Sequence, residues 1–452
     1  MLFNSLNFLV FLLSYIIFII TFPKKWKNIS IIFSAFFYGS WSLSFYFIIF
    51  GICILLNYSS KLLYKYEDRK YLYIPILILL INLIFFKYTN DLIDFIFPFL
   101  NISNIEISII LPIGISFYTF QSISYIIDIN KKKIKPYNFL DLLFYISFFP
   151  QIIAGPIVRA KNFFHNYEST IKIKNKRIKK ALLLILWGYF LKLSVADNLA
   201  LYVDQIYGSP ENFNSVSILF TSIFYSFQIY ADFFAYSLIA IGICKFVNID
   251  IPSNFNKPYF SISIIDFWRR WHISLSSFLR DYLYIPLGGN RNGSFVAYRN
   301  IVITMVVGGI WHGSGINFIL WGLGHGILIV LSKLIKLKFK IPVLLKIIFI
   351  FFIVTLLWVP FRLDNFQDVL TVYKFIFSSE IINFEEIYFK SLFIKSLFCI
   401  SIVIFVDWFF CRRNTVKVIQ NDYIFFSILA VLLFFISLFY ADYSKTFIYF
   451  QF

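Results

Sequence analysis

Four histidines, at positions 165, 272, 312 and 325, are the groups in this chain best suited to move protons near neutral pH. His312 lies in Trp311-His312-Gly313, at a glycine break between the apolar runs 302–310 and 316–330. A histidine at bilayer depth in a broken helix is costly to keep there, so it marks chemistry or a polar pathway inside a bundle. Gly308, Gly309, Gly313 and Gly315 are expected to let backbone or substrate come close to it. A neutral imidazole so placed can take the proton of an acceptor hydroxyl while an acyl group is transferred, which is general-base work. The structural alternative is a histidine hydrogen-bonded between helices. His272 stands in FWRRWHIS, 267–274, followed by Arg280-Asp281-Tyr282 and by PLGGNR, 286–291. His325, within WGLGHG, 321–326, reads as a packing residue, and His165, in a basic loop, as a solvated one.

The arginines around His272 suggest a second kind of chemistry. On a helical wheel, 264–284 forms one amphipathic helix with Trp268, Trp271, Leu275, Phe278 and Tyr282 in its apolar stripe and His272 at the edge. Asp266 and Arg270 are four apart and can pair. Arg269, Arg280 and Arg291 have no such obvious partner, and guanidinium groups suit the phosphates of a donor. A basic helix at the membrane interface explains the same spacing. The run 288–293 does not match a phosphate-binding glycine loop, because no strand precedes it and no Lys-Ser/Thr follows. Trp311 and Asn317 beside His312, together with Asp232, complete the candidates for binding substrate or donor. No HExxH, paired-carboxylate or nucleophile-elbow pattern is present, and Cys53, Cys244, Cys399 and Cys411 have no paired spacing. No metal site is expected.

The elements that must hold these residues are membrane helices. A chain of 452 residues that is 60% hydrophobic and 14% charged cannot be a soluble domain. Its mean hydropathy of +0.78 implies a polytopic membrane protein. The net charge of +18 sits in short loops rather than on one soluble face, which argues against nucleic acid and for contact with anionic membrane lipid. Basic residues at 24–27, 61–70, 131–133, 159–180, 333–340 and 412–413 are expected in the cytoplasm, and 89–106, 198–214 and 364–386 on the opposite side. Both termini then lie outside. Residues 1–22 read as a retained first span rather than a signal peptide. Apolar runs predict about eleven to thirteen helices in one all-α membrane domain over 1–452. The segment 28–58 must enter and return, turning at Tyr38-Gly39-Ser40-Trp41, and 139–156 is broken at Pro150 and at Ala154-Gly155-Pro156. Such breaks are tolerated only inside protein or along a water-filled cavity, which suggests an internal chamber.

At these residues the chain resembles the membrane-bound O-acyltransferase (MBOAT) family, and within it the branch of alginate and peptidoglycan O-acetyltransferases. The resemblance covers MLFNS at 1–5, LPIGISFYTFQ at 111–121, FPQIIAGPIVR at 149–159, ADNLA at 196–200, the whole of 268–293, the Trp311-His312-Gly313 site and FIYFQF at 447–452. Carried over by motif, His312 matches the family's catalytic histidine and His272 its second characteristic histidine. The resemblance implies a funnel of helices around the site and an acyl donor arriving from the cytoplasm. It also implies an acyl group leaving on the outer side of a bacterial cytoplasmic (inner) membrane. In this branch the implied donor is acetyl-CoA, used as substrate with no bound cofactor, and a separate extracytoplasmic esterase-like partner completes transfer to a polysaccharide. One departure concerns 230–238: relatives carry a Gly and a further Asp after Tyr-x-Asp-Phe, and this chain has Ala235 and Leu238 while keeping Asp232. Two alternatives stand beside this reading: D-alanyl transfer to teichoic acid, and a non-catalytic transporter or flippase of a lipid-linked sugar. The transporter would be expected to carry paired half-repeats with matching helix breaks, and none is visible.

Overall fold

The computed structural model describes the chain apart from residues 2, 4, 98–108, 153–154, 166, 168–169, 172–173, 336–340, 379–386, 412–420, 442–446 and 448–452. Of the expectations above, Arg412 and Arg413, the break at Ala154 and most of 447–452 lie outside the described residues. So do parts of 89–106, 159–180, 333–340 and 364–386. Among the described residues the regular structure is helical throughout, as backbone satisfaction in lipid demands. Among the described residues nine helices are long and apolar enough to cross a membrane, and Leu6–Thr21 is apolar but shorter. The protein is a multi-pass membrane bundle. Its described residues group into two compact units, Met1–Ala181 with Ala240–Pro252, and Leu182–Ile239 with Ser253–Phe452.

The first unit contains α1 (Leu6–Thr21), α2 (Trp26–Gly39), α3 (Leu43–Tyr66), α4 (Lys70–Ile96), α5 (Ile115–Asn130), α6 (Phe139–Ser147), α7 (Phe149–Ile152) and α8 (Ala160–Phe163). The turn expected near Tyr38-Gly39-Ser40-Trp41 is present, between the end of α2 and the start of α3. The segment 139–156 is broken as expected, but the first break falls at Phe148, between α6 and α7, rather than at Pro150, which sits inside α7. Phe149 then packs among Phe8, Phe11, Tyr15 and Phe37, and its N–H donates to Ser34 Oγ at 3.1 Å. A side-chain hydroxyl thus replaces the helical acceptor that the break removes.

The second unit carries all the candidate site residues. Here α9 (Asn175–Tyr189), whose first turns belong to the first unit, passes through a π-helical turn (Phe190–Ala196) into α10 (Asp197–Tyr207). A π turn breaks the regular carbonyl pairing, and other parts of the unit supply the missing donors. Ser194 O accepts from Asn198 Nδ2 at 2.8 Å and from Cys399 Sγ at 3.1 Å, while Leu193 O accepts from Ala441 N–H at 3.3 Å. The turn places Lys192 Nζ 2.8 Å from Asp197 Oδ1 and 2.9 Å from Asp232 Oδ1, the latter on α11 (Ser215–Phe246), with all three side chains buried.

After α11 the chain forms two short helices, α12 (Ile264–Arg270) and α13 (Ile273–Leu279), then a π-helical turn over Arg280–Tyr284. This corrects the continuous amphipathic helix expected over 264–284. Trp271 is extended and His272 adopts left-handed backbone with φ 40°. The bend is held from outside: Asn254 O accepts the Ile273 N–H at 2.9 Å, Asn254 Oδ1 accepts from Ser274 Oγ at 2.6 Å, and Asn254 Nδ2 donates to Ser237 Oγ at 3.0 Å. A wheel drawn from the local sequence has no access to donors and acceptors brought by Asn254. Beyond it, α14 (Gly293–His312) and α15 (Ile316–Leu334) form a tight hairpin, followed by α16 (Val343–Arg362), α17 (Phe366–Ile376), α18 (Lys390–Cys411) and α19 (Asp422–Phe439).

Candidate active site

His312 is the last residue of α14, at the closed end of the hairpin, and only 3% exposed. Four rings surround its imidazole: Trp311 at 4.8 Å, Phe361 at 5.1 Å, Trp321 at 5.2 Å and His272 at 6.4 Å between centroids. The sequence allowed either backbone or substrate to come close at these glycines, and at Gly309 and Gly313 it is the protein itself that does. A Cβ at Gly313 would run into the Phe318 ring, one at Gly309 into Phe318 O and one at Gly322 into Met305 O. Their role is close backbone approach, which draws α14 and α15 together and seats His312 against α15 and α16. Aromatic walls of this kind keep bulk water away from the imidazole they enclose.

His272, fully buried, is brought to the same place by its left-handed bend. Its ring lies 4.7 Å from Phe233 on α11 and 6.0 Å from Trp311. Burial pushes its imidazole down to about 3, so it is neutral at every physiological pH. A non-glycine residue held at positive φ stores backbone strain that the surroundings must impose, and Asn254 and Ser237 do so here.

The arginines separate into different roles. Asp266 and Arg270 form the expected pair at 2.9 Å. Arg280, expected to lack a partner, bonds the adjacent Asp281 at 2.8 Å, a choice open to it because the π turn displaces both from the regular helix. Arg291 donates to Gly288 O at 3.3 Å and Ile285 O at 3.2 Å, so it closes its own loop. Arg269 is exposed and lines a cavity of about 490 Å³ together with Arg280, Trp268, Ser276, Thr304 and Lys333. Arg269 and Arg280 therefore share one basic cavity, and Arg291 is not in its wall. Lys333, which sequence reasoning missed as a site residue, joins them from α15.

The remaining candidates serve backbone and charge. Asn317 is buried and its Nδ2 donates to Leu363 O at 2.6 Å and Asp364 O at 2.9 Å, tying the hairpin to the end of α16. Asp232 belongs to the Lys192 ion cluster, one residue before the Phe233 ring that touches His272. Trp311 stands between the two histidines. Lys192 was also missed, although a lysine inside an apolar span was a legible signal.

Comparison with known proteins bears on the chemistry of such a site. The model of the MBOAT, membrane-bound O-acyltransferase family, matches residues 29–359. The chain belongs to this family. It is 35% identical to the peptidoglycan O-acetyltransferase of Helicobacter pylori over 399 residues, covering 78% of this chain and 73% of that one. It is 33% identical to the probable alginate O-acetylase AlgI of Pseudomonas aeruginosa over 368 residues, covering 78% and 70%. Similarity to the teichoic acid D-alanyltransferase of Streptococcus thermophilus is 31% over 250 residues, 49% of this chain and 56% of the other. As an MBOAT member the protein is a membrane O-acyltransferase, and its matched region contains His272, His312, His325 and the basic cavity.

Proposed function

We propose that this MBOAT protein takes acetyl groups from acetyl-CoA on the cytoplasmic side. In this reading the acetyl group crosses the membrane for O-acetylation of an extracytoplasmic polysaccharide, alginate-like or peptidoglycan. His312 is the base: its imidazole accepts the proton of the acceptor hydroxyl as the oxygen attacks the acetyl carbon. The C–S bond breaks, and the departing thiolate takes up the proton as His312 returns to its neutral form. His272 packs near His312, and burial makes its imidazole too weak a base to compete for that proton. Arg269, Arg280 and Lys333 meet the donor's phosphates. An extracytoplasmic esterase-like partner receives the acetyl group and delivers it to the glycan.

The observation that carries this reading is His312, buried among aromatic rings at the end of α14 beside a second buried histidine. The names of two relatives that match most of the chain support acetyl transfer to a cell-surface or secreted glycan. The D-alanyl reading rests on a match to half of the chain. The deciding variant is His312→Ala. Loss of a general base costs about 10²–10⁴-fold in rate, read as base-labile acetate on cell-surface glycan with membrane-inserted protein quantified in parallel. Near-normal acetylation at wild-type abundance would remove His312 from the mechanism.

A further inference from the structure

The basic cavity and His312 are separated by two indole rings, Trp268 and Trp321. Trp268 lines the cavity beside Arg269. On its other side its Nε1–H donates to His325 Nδ1 at 3.3 Å, and the two rings meet nearly edge-on at 5.0 Å. Trp268 also lies 5.8 Å from Trp321, and Trp321 lies 5.2 Å from His312. Two ring-to-ring steps therefore connect the cavity wall to the reacting histidine. The axial direction agrees: Met305 lines the cavity and His312 follows it by seven residues on α14, about 10 Å along the helix.

His325 is built to hold that ring. It is fully buried, and it shares a face of α15 with Trp321 four residues before it. Gly326 beside it brings α15 against Val302, where a Cβ would lie 3.1 Å from Val302 Cα. Accepting at Nδ1 requires the neutral tautomer with its proton on Nε2, and that Nε2 has no hydrogen-bond partner among the described residues. Phe267 stacks parallel to the imidazole at 6.1 Å, and Trp321 meets its edge at 4.9 Å. A residue needed for packing alone would not require a nitrogen at Nδ1.

We propose that Trp268, backed by Trp321, is a gate between the basic cavity and His312, and that His325, which bonds the first indole and touches the second, is the positioning residue that holds the pair closed. The inference rests on the reading of His312 as the reacting base. A donor whose phosphates sit at Arg269, Arg280 and Lys333 reaches His312 with its thioester arm only when the Trp268 ring swings aside and leaves Trp321 free to follow. In the absence of donor the ring keeps water and small electrophiles away from the imidazole.

The test measures access to His312 without relying on turnover. Diethyl pyrocarbonate modifies neutral imidazoles, and mass spectrometry locates each modified histidine; the rate at His312 is normalised to that at exposed His165 in the same sample. In His325→Phe, which keeps the ring volume and removes the acceptor, modification of His312 should rise about fivefold, the shift in open population expected on losing one neutral hydrogen bond. Trp268→Ala should raise it at least as much. His325→Gln, which restores an acceptor, should return it toward the wild-type rate. An unchanged His312 rate in both His325→Phe and Trp268→Ala overturns the gate. If His325→Phe does not yield folded protein, Trp268→Phe decides: it keeps a ring but has no N–H to donate, and a wild-type rate there overturns the proposal. Failure of His312→Ala to lose activity would instead overturn the catalytic reading, a result separable from the access measurement.

Discussion

Replacing His272 by Asn separates its ring from the bend that carries it, because Asn tolerates left-handed backbone better than most residues. With its imidazole pushed from 6.5 to about 3 by burial, the folded protein binds this proton less readily than the unfolded chain does. The stability associated with the neutral ring is complete above about pH 6.5 and is lost progressively as pH falls toward 3, amounting to about 2 kcal/mol by pH 5. His272→Asn should therefore lose less thermal stability between about pH 7 and pH 5 than the wild type, measured on detergent-solubilised protein. Equal slopes would mean that the folded ring accepts the proton after all. Among the arginines, Arg269→Gln should raise the apparent donor KM about tenfold or more. Arg291→Gln should leave KM near wild type, and a KM effect confined to Arg291 would displace the cavity as the donor site. His312 was legible because a rare histidine in a glycine break is a strong chemical signal. The duties of Arg291 and Asn317 were not, because each bonds backbone carbonyls whose positions exist only after folding.

The hairpin of α14 and α15 turns sequence glycines into proximity. Gly322→Ala would force its methyl into Met305 O and should destabilise by about 1–3 kcal/mol, the usual cost of overpacking, with acetylation falling as His312 loses its wall. Gly51→Ala in α3, where no atom lies within 4 Å of the new Cβ, should leave thermal stability unchanged or slightly raised. Similar loss in both variants would mean that close approach to a neighbouring helix is not what sets Gly322 apart. The turn between α2 and α3 was readable from length and from Gly39, and so was the fact that 139–156 is broken, although the first break falls at Phe148 and not at Pro150. The division of 264–284 at His272 was not. Its apolar spacing fits a helix well, and the bend is imposed by Asn254, about eighteen residues earlier in sequence.

For the molecule as a whole, helical class and multiple spans followed from hydropathy, because no other backbone arrangement with so apolar a sequence satisfies its polar groups in lipid. Orientation rests on the asymmetry of basic loops. In a cysteine-free background, Gln367→Cys should react with an impermeant maleimide in intact cells, while Lys176→Cys should react only after lysis. The reverse pattern would invert the direction of acyl movement proposed above. The division into two compact units was not legible in the sequence. The short return of Ala240–Pro252 to the first unit leaves no composition change or linker to mark it.

The Lys192 cluster also bears on how the protein is made. Asn175–Tyr207 leaves the ribosome carrying a lysine and an aspartate in its apolar span, residues whose separate insertion costs about 2.5–3.5 kcal/mol each at a helix centre. Because both lie on the same span and meet at 2.8 Å, they can enter the membrane as a neutral pair before any later helix exists. Asp232 follows in the next span and finds Lys192 already in place. Synthesis order thus matches charge order, with the cation established in the bilayer before the second carboxylate needs it. A chain in which Lys192 were moved to a later span would have to hold two carboxylates at the insertion machinery while waiting for their partner.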